Sequence, residues 1–122
     1  MINCNNENAV PSIQSIAVII KTYNSVQGDI LEILPGSECE VKIDDKPAWR
    51  FPDVLFKPIV TIIKTEMGMN QYVFDRDRTG RFEVLLGNDI LYFHATVAGN
   101  DTGITITRQE QLDTIDLNQM IE

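Results

Sequence analysis

The chain has 122 residues, 43% of them hydrophobic, and its ten basic and eighteen acidic side chains give a formal charge of -8. A chain of that length reads as one domain, able to bury roughly two-thirds of its unfolded surface without staples. No apolar run approaches the ~20 residues that span a bilayer. No cluster of Lys and Arg offers the phosphate neutralisation that nucleic acids or anionic membranes require, so neither is expected as a partner. The charge suits solubility, or docking to a basic partner.

Residues 1–12, MINCNNENAVPS, are polar and Asn-rich and read as a flexible N-terminal arm outside the core. They have neither a basic start nor an apolar stretch, so synthesis in the cytosol is the expectation. From Ile13 the run IQSIAVIIKTY is rich in β-branched residues and reads as a strand with Ile16, Val18 and Ile20 on one face. Asn24 to Asp29 is a turn broken at Gly28. ILEIL follows, and Pro35-Gly36 suits a type II turn. SECEVKI alternates cleanly, with Cys39, Val41 and Ile43 on its apolar side. Asp44 to Pro47 turns the chain again.

Residues 48–58, AWRFPDVLFKP, contain Trp49, Phe51, Leu55 and Phe56, but Pro47, Pro52 and Pro58 argue against both a central strand and a regular helix. An edge or irregular segment is expected, with Trp49 and Phe51 serving either the core or a contact surface. IVTIIKTEM reads as another strand, QYVF as a short one, and DRDRTG as a turn. RFEVLL then buries Phe82, Val84 and Leu86. ILYFHATV sets Leu91, Phe93, Ala95 and Val97 against Ile90, Tyr92, His94 and Thr96, and GITIT is the last clear strand.

Many short strands separated by Gly, Pro, Asn and Asp predict an all-β sandwich of seven or eight strands over residues 13–107. Its core should hold Ile16, Val18, Ile20, Val41, Ile43 and Ile63, and, from the second half, Phe82, Val84, Leu91, Phe93, Val97 and Ile106. The tail, residues 108–122, fits a short helix or an extended, partner-bound segment.

Candidate chemistry concentrates in FDRDRTG, residues 74–80. Read as a calcium loop, Asp75, Asp77 and Thr79 fail on spacing: a loop starting at Asp75 places Gly80 well, but its twelfth position is Leu86 where a bidentate glutamate is needed. Read as a phosphoryl-transfer nucleophile, the segment lacks a central parallel strand with alternating helices. A turn is the better reading: the aspartates bond their own backbone and Gly80 takes a positive φ. His94, the only histidine, lies on the polar side of its strand. Cys4 and Cys39 read as free thiols, and no catalytic, cofactor or metal set is expected.

Three stretches resemble small Ig-like or transthyretin-like sandwiches of bacteriophage tail fibres and tailspikes. They are Pro35-Gly36-Ser37-Glu38-Cys39-Glu40-Val41, then Asp77-Arg78-Thr79-Gly80-Arg81-Phe82-Glu83-Val84, then Ile90-Leu91-Tyr92-Phe93-His94-Ala95-Thr96-Val97. The resemblance covers residues 28–107. It implies a non-enzymatic virion component such as a tail, baseplate or fibre-attachment protein, made in the host cytoplasm and assembling as a symmetric oligomer with copies of itself and other virion proteins. A second class fits the acidity: a small inhibitor or immunity-type protein docking to a basic enzyme surface through Asp44, Asp45, Asp53 or the 110–122 tail. A carbohydrate-binding module would rely on Trp49, Phe51 and Tyr72.

Overall fold

The structure is a computed structural model and describes residues 1–68 and 75–109. Its elements in chain order are β1 (Ile2–Asn3), α1 (Pro11–Ser25), β2 (Ile30–Leu34), β3 (Glu38–Ile43), β4 (Lys46–Pro52), α2 (Phe56–Glu66), β5 (Arg78–Leu86), β6 (Asp89–Val97) and β7 (Ile104–Arg108). Short 3-10 turns sit at Asp53–Leu55 and Gly99–Asp101. The strands form one curled mixed sheet of seven, in the order β1-β5-β6-β7-β2-β3-β4. All neighbours are antiparallel except β1 and β5.

The predominance of strands matches the sequence expectation. The second layer is made by helices rather than by a second sheet. Tyr23 and Ile20 of α1 and Ile59 and Ile63 of α2 join Leu31, Val41, Phe93 and Ile106 of the sheet in a single buried cluster. The expected strand at IQSIAVIIKTY is therefore wrong. Pro11 pre-sets the first helical turn of α1, and Ile16, Ile19, Ile20 and Tyr23 return every three or four residues to one face. Val18, expected in the core, faces out and is 37% exposed.

The expected strand at IVTIIKTEM is α2 instead, burying Phe56, Ile59, Val60, Ile63 and Lys64 along one stripe. Pro58 is no obstacle, because it sits in the first turn, where backbone N–H groups have no intrahelical acceptor. The rest of the expected core list is buried, apart from half-buried Leu91. The N-terminal segment also differs in part from its reading as an arm. Ile2 and Cys4 are buried, and Ile2-Asn3 pairs in parallel with Val84-Leu85 of β5. Asn5 fastens this segment: its side-chain amide donates to Gly87 O and accepts from Gly87 N–H, each at 2.8 Å.

The turns follow local chemistry. At the end of α1, Gly28 N–H reaches Tyr23 O and Gln27 N–H reaches Asn24 O, with Gln27 left-handed at φ 53°. This is the Schellman arrangement with glutamine where glycine is usual. Gly28 is required for space instead: a Cβ there would lie 2.5 Å from Ile43 Cγ2 and 2.8 Å from Tyr23 Cδ1. Asp44 and Asp45 are both left-handed, at φ 52° and 67°, and make the two-residue turn between β3 and β4. Gly36 is not in the positive-φ region, so the type II turn expected at Pro35-Gly36 does not form.

QYVF (71–74) and residues 110–122 lie outside the described residues.

Candidate interaction surface

The FDRDRTG stretch separates into parts with different tasks. Asp77 Oδ1 accepts the Gly99 N–H at 2.8 Å and ties the start of β5 to the corner after β6. Asp75 and Arg76 form an exposed pair at 3.7 Å, which contributes little. Thr79 already belongs to β5, opposite Thr96. Gly80 lacks the expected positive φ and is needed for proximity: a Cβ would come 3.0 Å from Met67 Cβ, where the end of α2 crosses the strand. Among the described residues no three His, Cys, Asp or Glu side chains gather as a metal site.

His94 is exposed on β6, with Arg81 and Thr107 as its cross-strand partners. Both cysteines are buried and free. Burial, assisted by the Asp53 carboxylate that accepts a weak bond from Cys39 Sγ at 3.8 Å, pushes the Cys39 thiol up from 9.0 to about 11. Burial pushes Cys4 up from 9.0 to about 11 as well, against a lowering pull from Lys21. Burial also raises the Tyr23 phenol, while Arg108, 4.7 Å above the ring, pulls it down.

These groups are neutral in the folded protein and ionise more readily in the unfolded chain. Their stabilising effect is complete below the unfolded thiol value of 9.0 and is lost as pH rises through about 11. The urea midpoint should therefore fall between pH 9 and 11. A midpoint unchanged across that window would contradict the burial of both thiols.

Both helices lie on the inner face of the sheet, so neither of them covers the outer face. Cross-strand registers define its rows. One runs Arg81, His94, Thr107, Ile30 across β5, β6, β7 and β2. The next runs Thr79, Thr96, Thr105, Glu32, Lys42. Towards the β5–β6 turn, Glu83 stands opposite Tyr92 and Leu85 opposite Ile90. Tyr92, Ile30 and Ile90 keep 52%, 46% and 44% of their surface in water. The face thus sets an aromatic and two aliphatic side chains among charged and hydroxyl neighbours. Alternation in ILYFHATV had assigned Ile90, Tyr92 and His94 to the non-core side, but nothing local marked that side as a contact surface.

The aromatics first considered for a contact role fare differently. Phe51 is buried, Trp49 is 47% exposed, and Tyr72 lies outside the described residues. Trp49 sits on edge strand β4, which resists strand addition. Pro47 and Pro52 lack the N–H that a new strand would need, and a register shift at Val41/Lys42 interrupts the ladder.

Grooves mark the surface among the described residues, one of about 390 Å³ lying beside Tyr92, Arg81 and Glu83. Another, of about 280 Å³, runs between Thr22 and Val26 of α1 and the Ile43–Ala48 hairpin. A larger one, about 720 Å³, is lined by Pro35, Asp53, Val54, Phe56, Lys57 and the Asn100-Asp101 corner. Under that corner the Lys64 ammonium, on a side chain only 2% exposed, meets Asp101 Oδ1 at 2.5 Å.

Comparison with protein-family models and with curated proteins returns no match to this sequence.

Proposed function

We propose that this chain is a non-enzymatic, acidic docking protein that binds a basic surface of a partner protein through the open face of its sheet. The observation that carries the reading is the set of Tyr92, Ile90 and Ile30, each about half in water, on a face that neither helix covers. Interfaces are anchored by such aromatic and aliphatic side chains inside a polar rim. The formal charge of -8 supplies long-range attraction towards a cationic partner and speeds encounter. Within the earlier alternatives this is the inhibitor or immunity-type class.

The immobilised full chain should retain a basic protein from cell extract at low ionic strength and release it by about 0.5 M salt, where screening acts within a few ångströms. The double variant Ile90→Ser/Tyr92→Ala should retain none of it. Retention unaffected by that variant would remove the open face from the proposal. A place in a phage particle, which the three motifs suggest, makes the opposite demand: self-assembly that salt does not weaken. Sedimentation of the chain alone at low and high salt separates the two.

A further inference from the structure

Three connections meet at one end of the sheet: Pro35 between β2 and β3, the Asp53–Leu55 turn leading into α2, and the Asn100-Asp101 corner between β6 and β7. Between them lies the groove of about 720 Å³, a volume within the range of small-molecule sites. Buried Phe56 and exposed Pro35 and Val54 give it an apolar side. Its polar groups carry both signs. Asp53 accepts only a weak bond from Cys39 Sγ, so most of its capacity as an acceptor is unused. Asp101 meets the Lys64 ammonium yet keeps about a quarter of its side chain in water. Lys57 has no ion-pair partner among the described residues, and the Asn100 amide adds a neutral donor and acceptor. Two carboxylates therefore stand against two ammoniums, Lys57 and the enclosed Lys64. In a chain of formal charge -8 this corner is balanced. One wall is also fixed in advance. Asn100 and Asp101 are left-handed at φ 60° and 53°, a backbone that persists where neighbours hold it. Here Asp101 N–H bonds Ala98 O at 3.0 Å, Thr102 Oγ1 bonds Gly99 O at 2.9 Å, and Asp77 takes the Gly99 N–H.

We propose that this groove binds a compact zwitterion with an apolar body, the chemistry of an apolar amino acid or a dipeptide. Lys57 takes the carboxylate, and Asp53 and Asp101 take the ammonium, as charge-assisted hydrogen bonds. The apolar body rests on Phe56, Val54 and Pro35. A plain anion would meet Asp53 and Asp101, and a plain cation would meet Lys57. Only a ligand of both signs keeps the local balance and satisfies each wall. The fixed corner lowers the ordering cost that a small ligand must overcome. This site does not rest on the docking face: Ile90 and Tyr92 stand at the start of β6, and the groove lies beyond its end.

The test is an NMR titration of the full chain with leucine and with leucyl-leucine. The amides of Val54, Lys57 and Asn100 should shift saturably with at least one of them, half-complete below about 10 mM. The tighter of the two identifies the source as a free amino acid or a short peptide. Leucine methyl ester, which lacks the carboxylate, and isocaproate, which lacks the ammonium, should each bind at least about tenfold more weakly, because each leaves one wall unpaired. Lys57→Met, at an exposed position that the fold does not need, should weaken the zwitterion about tenfold. Absence of saturable shifts with both zwitterions overturns the proposal. So does an ester or isocaproate that binds as tightly as leucine, or an affinity unchanged in Lys57→Met. No protein partner takes part, so failure here is distinct from failure of the docking face.

Discussion

Phe93→Ala should cost about 3–5 kcal/mol, a large share of the roughly 5–15 kcal/mol that holds a domain folded. Phe93 is fully buried at the meeting point of three elements. Its ring lies 5.6 Å from Phe82 of β5 and 5.9 Å from Tyr23 of α1, both in tilted geometry. Truncation removes the transfer energy of the ring, leaves a cavity that neither the sheet nor the helix can close, and cancels two aromatic contacts. For a domain of this size the melting temperature should drop by roughly 4–8 °C per kcal/mol. Phe93→Leu, which keeps most of the volume, should lose well under half as much. Thermal and urea unfolding of the two variants test this, and a loss below about 1 kcal/mol for Phe93→Ala would mean that the helix is not seated on β6.

The second large effect is expected at the Lys64–Asp101 pair, and it should be asymmetric. Lys64 is almost fully enclosed, whereas the Asp101 side chain keeps about a quarter of its surface in water. Asp101→Asn removes the carboxylate but keeps the shape and tolerates the left-handed φ of 53° at that position. It takes from the enclosed ammonium a carboxylate partner, at a cost of about 2–4 kcal/mol, near or below the usual range for breaking a buried pair because water reaches one partner. Lys64→Met removes the buried charge and leaves an aspartate that water can solvate, so it should cost less. Urea midpoints decide it: if Lys64→Met proves the more damaging variant, the enclosed ammonium is not what makes the corner sensitive.

What could be read from the sequence divides by physical cause. β3, β5, β6 and β7 announce themselves because one face of each is in water, and the alternation of Cys39-Val41-Ile43 or Leu91-Phe93-Ala95-Val97 records it. α1 is harder. Its apolar residues are so dense that period 2 and period 3.6 both fit, and β-branched content tips the balance towards strand. The residue that separates the two is Val18, which a strand would bury and the helix turns outward. α2 is hidden by Pro58, which looks like a breaker until its place in the first turn is known. Gly28 and Gly80 read as turn-makers, but their real constraint is the approach of Ile43, Tyr23 and Met67, which no local pattern encodes. The interaction surface was half legible. The outward side chains of β6 followed from alternation, whereas the lack of a helix on that face follows from both helices packing on the other side.

The parallel pairing of β1 with β5 bears on how the protein is made. Ile2 meets Val84, and Asn5 grips Gly87. During vectorial synthesis at about 5–20 residues per second, the first strand must wait for most of the chain to be translated before its partner exists. The three-stranded units β2-β3-β4 and β5-β6-β7 close over short separations and can form early. Attachment of the N-terminal segment pairs residues far apart in sequence and is disfavoured until those contacts are in place. β1 therefore acts as a latch that closes only on a nearly finished sheet, leaving Ile2 and Cys4 uncovered in every nascent chain shorter than the β5–β6 hairpin.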